Sequence, residues 1–154
     1  MPMSPAAKPT VVTRALTQDE CAELLERHHV GRLAFSFHDR VDIQPLHYVF
    51  DGGSIYGRTS DGAKLLTLAH NQWVAFEVDE VHGTFDWTST VAHGSFHRLD
   101  PEHPAAKTAT DLLRSIVPET FTSADPVANR TILFRIAIDE MTGRAAQWAR
   151  AIPG

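Results

Sequence analysis

The sequence predicts a mainly β domain, a small barrel of six or seven mostly antiparallel strands with helices at its ends or sides. Three observations predict it. Apolar residues alternate with polar ones in several separate stretches, most cleanly at Ile132, Phe134, Ile136 and Ile138. Glycine-rich turn signals such as Asp51-Gly52-Gly53-Ser54 fall between such stretches. The 154 residues contain no repeat or linker, and that length suits a single core.

Residues 1–14 open with Pro, Ser and Ala and are read as a flexible N-terminal segment, leaving 15–154 as one domain. Thr17-Gln18-Asp19-Glu20 has the spacing of a capping box and predicts a helix over about 17–28. Beyond Gly31, Leu33, Phe35 and Phe37 alternate as one face of a strand, and His38-Asp39-Arg40 turns it into a second strand running to about Phe50. Val41, Ile43 and Pro45 share a face of that strand. Pro45 cannot donate to a ladder, so the strand should be an edge, bulged, or open to a ligand there. Ile55 to Thr59 is a third strand, antiparallel to the second. Ser60-Asp61-Gly62 then breaks it, and Ala63 to His70 reads as a two-turn helix capped by Ser60 or Asp61. Trp73 to Asp79 is a fourth strand, 80–86 a loop, and Trp87 to Leu99 a long fifth strand. Asp100-Pro101-Glu102 should open a helix running to about Val117. Glu119 to Arg130 is a loop, Ile132 to Ile138 a strand, and a further short strand is expected after Gly143.

Composition narrows the function classes. Hydrophobic residues make up 43% of the chain and charged residues 21%, which is globular. The net charge of −5 argues against broad electrostatic binding to nucleic acid or an anionic membrane. No apolar stretch approaches the roughly 20 residues of a membrane span, and Met1 to Thr10 lacks the apolar centre of a secretory signal, so the cytoplasm is expected. The lone Cys21, beside Leu24 and Leu25 in helical spacing, reads as a buried structural thiol.

The segment richest in chemistry is Tyr56 to Lys64, where a strand ends in hydroxyls and a helix begins with a lysine. Arg58 offers a two-pronged donor, Thr59 and Ser60 offer hydroxyls, and the helix start offers free amides beside Lys64. That layout suits a phosphate, although Asp61 opposes an anion. On the residues alone, a phosphate site and a solvated turn with a helix cap both stay open. No metal site is expected: His93 and His97 share a strand face but lie about 13 Å apart. His28 and His29 suit a helix C-terminus, Trp73 and Trp148 read as core or dimer-packing aromatics, and His47 stands next to the strand segment Gln44-Pro45-Leu46.

The order Ile43-Gln44-Pro45-Leu46, Ile55-Tyr56-Gly57-Arg58-Thr59-Ser60, Gly62-Ala63-Lys64, Val74-Ala75-Phe76-Glu77-Val78-Asp79 and Trp87-Thr88-Ser89-Thr90-Val91-Ala92-His93-Gly94 resembles the pyridoxamine 5′-phosphate oxidase-like FMN-binding proteins. The resemblance covers roughly residues 15 to 148 and implies a split β-barrel. It implies a homodimer with FMN enclosed at the subunit interface. Arg58, Thr59, Ser60 and Lys64 would take the phosphate, Gln44, Pro45 and Leu46 would lie along the isoalloxazine ring with His47 beside them, and Trp87 and Ser89 would close the site from the second protomer. The implied activity is that of an FMN-dependent oxidoreductase on a small-molecule substrate, with NADH or NADPH as donor. The alternative is a non-catalytic flavin, deazaflavin or haem module of the same fold. Gln147 to Gly154 carries no Arg-x-His segment of the kind that grips substrate in pyridoxamine phosphate oxidases, so the resemblance extends to scaffold and cofactor, not to vitamin B6 oxidation. No catalytic residue is assigned.

Overall fold

In the computed structural model, which describes residues 8–149, the elements run β1 (Val11–Ala15), α1 (Gln18–Arg27), β2 (Val30–Phe37), β3 (Arg40–Asp51), β4 (Ser54–Thr59), α2 (Ala63–His70), β5 (Trp73–Gly83), β6 (Asp86–Leu99), α3 (Ala106–Ile116) and β7 (Ile132–Trp148). The strands form one sheet in the order β1-β7-β4-β3-β2-β5-β6, and an additional β6–β7 pairing closes it on itself. Closure removes most of the exposed strand edge that an open sheet of this size would present.

Inside the ring, Leu33, Phe35, Tyr48, Ile55, Phe76, Val78, Phe96, Phe134 and Ile136 pack with Leu24 and Leu25 of α1. The capping box sets where that helix starts: Thr17 Oγ1 accepts from the Glu20 amide at 3.2 Å, and Glu20 Oε1 accepts from the Thr17 amide at 3.1 Å. Tyr48 donates its hydroxyl to the Leu25 carbonyl at 2.7 Å, tying α1 to β3. Burial holds that phenol above its ordinary pKa. A second cluster, Val49, Tyr56, Leu99, Ala109, Leu113 and Leu133, lies under α3. Strand β4 is therefore covered on both faces, by the barrel core and by α3, and this explains its unbroken burial from Ile55 to Thr59.

Most predicted elements are present, with informative departures. Val11–Ala15, all but its last residue expected within a flexible segment, pairs with Trp148 to Arg144 of β7 as a strand. The β5–β6 hairpin continues through the expected loop, to Gly83 and Asp86, with a register shift between Val81 and Gly83. Helix α3 begins at Ala106, not at Asp100, because Pro104 disfavours a helical His103, and Ala105 donates its amide to His103 Nδ1 at 3.0 Å in a turn instead. Strand β7 is one continuous strand where two were expected. Helix α2 is capped by Gly62, with no side-chain cap bond from Ser60 or Asp61, which precede the cap and cannot reach the second or third helical amide. Gly62 adopts φ 154° and ψ −163°, a backbone region essentially confined to glycine. Trp73 and Trp148 are 59% and 50% exposed, so neither belongs to the core of this chain. Cys21 is fully buried. No described helix is long and apolar enough to cross a membrane.

Candidate functional site

The junction from β4 to α2 lies against the open half of β3. Strand β4 pairs with β3 only from Tyr48 to Asp51, so residues 41–46 of β3 have β2 on one side and no strand on the other. The break in the ladder that Pro45 required therefore falls beside the strand-turn-helix segment. Gln44, Pro45, Leu46, Thr59, Ser60, Asp61, Gly62, Lys64 and Arg130 line a cleft of about 470 Å³ there.

Two cations meet in this cleft. Lys64 donates from Nζ to Gln44 Oε1 at 3.0 Å, and its ammonium is lowered to about 8, by burial first and then by the charge of Arg130. Arg130 reaches the cleft through the sheet register: Thr59 pairs with Ile132, so the residue two before Ile132 overhangs the end of β4. Among the described residues no carboxylate oxygen lies within 4.0 Å of the Lys64 ammonium or the Arg130 guanidinium. Asp61 is exposed at the cleft wall. The start of α2 has no side-chain cap, which leaves its first amides without a side-chain acceptor.

Arg58 is placed elsewhere than the sequence pattern implied. It is 0% exposed and does not line the cleft; Nη1 donates to Asp125 Oδ2 at 2.5 Å and Nη2 to Oδ1 at 2.9 Å. This pairing is the largest cause holding the Asp125 carboxyl well below the usual range. The Phe121 ring stacks over the guanidinium at 5.3 Å. His47 lies behind the cleft, half-buried, where Arg58 Nε donates to its Nε2 at 3.3 Å and Arg130 Nη1 lies 3.4 Å from its Nδ1. Burial and then the two guanidinium charges push its pKa down, favouring neutral imidazole. Trp87 and Ser89 are on β6, outside the cleft; Ser89 donates to Glu77 Oε2 at 2.8 Å.

The structure thus brings Gln44, Pro45, Leu46, Thr59, Ser60 and Lys64 together, puts Arg58 and His47 behind them, and leaves Trp87 and Ser89 apart. Sequence reasoning missed Arg130 and Asp125. Their only local signal was their position in the polar loop before a clear strand, and the partners of Asp125 and Arg130, Arg58 and His47, are 67 and 83 residues away in the chain. Among the described residues no cluster of three His, Cys, Asp or Glu side chains is arranged to hold a metal.

A closed antiparallel sheet of seven strands, with a cationic cleft where a strand turns into a short helix, defines the split-barrel class. Residues 17–145 match the pyridoxamine 5′-phosphate oxidase family, and the chain belongs to that family. An uncharacterized protein of Rhizobium meliloti (strain 1021) is 26% identical over 147 residues, covering 86% of this chain and 95% of its own. The fold is similar to that of a FAD-binding protein from Mesorhizobium loti, with a TM-score of 0.74, 24% identity, and coverage of 90% of this chain and 99% of the other. It is also similar to an FAD binding protein from Mycobacterium smegmatis, with a TM-score of 0.61, 23% identity, and coverage of 86% and 98%.

Proposed function

We propose that this cleft holds FMN and that the protein is an FMN-dependent oxidoreductase acting on a small organic molecule in the cytoplasm. The observation that carries the reading is the pair of cations, Lys64 and Arg130, which have no carboxylate partner among the described residues, at a strand-turn-helix junction. A phosphate there gains charge-assisted bonds from both cations and from the Ser60 hydroxyl. The ring lies along Gln44, Pro45 and Leu46, where β3 pairs with β2 on one side but has no strand on the other, so backbone groups on that side are free to bond the flavin edge. Membership of the family, and a fold shared with FAD-binding proteins, support a flavin nucleotide. Bound flavin supplies hydride transfer; this chain's residues place the ring, neutralise the phosphate and control access.

The proposal includes a homodimer. Val41 and Ile43, 73% and 65% exposed, stand on β3 immediately before Gln44, an apolar face beside the cleft that a second protomer would cover. Trp87 and Ser89 would then enter the site from that protomer. A nicotinamide nucleotide would donate electrons by binding transiently over the flavin. The second reading, a flavin, deazaflavin or haem module without turnover, is favoured by one observation: the cleft lining holds no acid-base side chain apart from Asp61 and Lys64.

The test is the visible spectrum of the purified protein before and after adding FMN, FAD or haem, with the bound species identified by mass. Flavin bands at one per chain, bleached by NADPH or NADH and restored by air, are the expected result. Flavin bands that neither nucleotide bleaches would favour the module. A Soret band, or no uptake of flavin, would refute the proposed cofactor.

A further inference from the structure

Resting on that reading of the cleft, we infer that Arg58 and Asp125 form a buried positioning device that aims Arg130 at the phosphate, so that Arg130, not Arg58, is the guanidinium in contact with it.

The geometry is a chain of contacts from the loop to the cleft. Asp125 accepts four bonds: two from Arg58, one from the Phe121 amide at 2.8 Å and one from the Val127 amide at 3.0 Å. Both carboxylate oxygens are occupied, so this one side chain organises residues 121–127 of a segment that has no helix or strand. The loop is otherwise held by short-range turns, such as Asp125 N to Thr122 O at 3.1 Å and Arg130 N to Val127 O at 2.9 Å. Phe121 takes φ 62°, an uncommon conformation for an aromatic residue, and its ring lies on Arg58. Arg58 reaches past Asp125 to the Arg130 backbone carbonyl, 3.4 Å from Nη1. One buried guanidinium therefore spans the loop anchor and the residue at the cleft.

His47 completes the device. Its Nε2 accepts from Arg58, so a neutral ring carries its proton on Nδ1, the atom facing Arg130 Nη1 at 3.4 Å. Two donors face each other there. The ring keeps the Arg130 side chain from turning back toward Arg58 without holding it by an accepted bond, which leaves that guanidinium's donors for an anion. Arg58 has no such freedom, because its three nitrogens are all engaged.

The experiment titrates FMN and riboflavin, which lacks the phosphate, into the wild type and into Arg130→Ala, Arg58→Gln, Asp125→Asn and the double variant Asp125→Asn/Arg130→Ala. Arg130→Ala should weaken FMN about tenfold, the loss of one charge-assisted bond, and leave riboflavin within about twofold. Arg58→Gln and Asp125→Asn should do the same, and the double variant should be no weaker than Arg130→Ala alone. Retained riboflavin binding reports a folded pocket. Should Asp125→Asn unfold the chain, Arg58→Met/Asp125→Leu fills the buried space without charge and should still lose the preference for FMN.

Unchanged FMN affinity in Arg130→Ala overturns the inference, as does an Asp125→Asn loss that adds in full to the Arg130→Ala loss. If the wild type takes neither flavin, the cofactor reading has failed. The positioning device is then judged with inorganic phosphate by side-chain NMR of Arg130: a response in the wild type that Asp125→Asn abolishes supports it, and no response refutes it.

Discussion

Lys64 is the residue whose chemistry is most exposed to test. Its folded pKa of about 8 lies below its ordinary value of 10.5, because burial and Arg130 both disfavour the charged form. Between about 8 and 10.5 the unfolded chain holds more protons than the folded one, so this group adds stability as pH rises through that window and carries its full penalty below it. A bound dianionic phosphate reverses the sign, since it favours the ammonium and raises its pKa. FMN affinity should therefore be flat from pH 7 to 7.5 and fall as pH rises through 8 to 9, while riboflavin affinity stays level. Lys64→Met should weaken FMN and flatten that profile. A profile unchanged in Lys64→Met, measured by fluorescence titration, would assign the pH dependence to another group. His47 does not compete for this window, because its pKa is displaced downward from 6.5.

At the scale of elements, α1 and α2 show two different ways to begin a helix. The start of α1 is secured by reciprocal bonds between Thr17 and Glu20, and Arg14 of β1 adds an exposed ion pair to the same carboxylate. Thr17→Ala should cost about 1 kcal/mol in urea unfolding, with no change in FMN affinity, because the Thr17–Glu20 cap bonds involve no residue that lines the cleft. A loss in FMN binding equal to the loss in stability would show that α1 and the cleft are one cooperative unit. Helix α2 begins without a side-chain cap, at a glycine, beside the cationic cleft. Most of this was legible locally. Capping-box spacing, the Gly52-Gly53 turn and the alternation in β2 and β7 are short-range patterns, and each element formed where its own residues demanded. Some boundaries were set from a distance, since β1 exists because β7 is there to pair with it, while the later start of α3 has a local cause at His103–Pro104.

For the whole molecule, Val41 and Ile43 matter among the exposed apolar side chains because they stand on β3 beside the cleft, 73% and 65% exposed. Ile43→Asp should shift sedimentation from dimer to monomer and weaken FMN in parallel, since the proposed site is completed across the interface. A monomeric wild type would remove the dimer from the proposal and leave the one-chain cleft standing. A groove of about 590 Å³ along α3, also larger than the cleft and lined by Leu99, Leu133 and Phe121 among others, carries cations that are already bonded: Arg98 to Asp100, Lys107 to Asp111 and Arg114 to the Thr120 carbonyl. Volume alone does not single out a pocket; the proposed site rests on charge that has no carboxylate partner among the described residues.

The sequence by itself determined the class of fold, the succession of strands and helices, and the Thr59–Lys64 junction, because these depend on periodicity, turn chemistry and caps acting over a few residues. Tertiary structure decided which cations face the cleft. Arg58 lies in the motif that reads as a phosphate site, yet a carboxylate 67 residues away engages it, and Arg130 stands at the cleft in its place. The physical reason is that a buried guanidinium must be paired to be tolerated, and the partner that satisfies it is chosen by the folded chain.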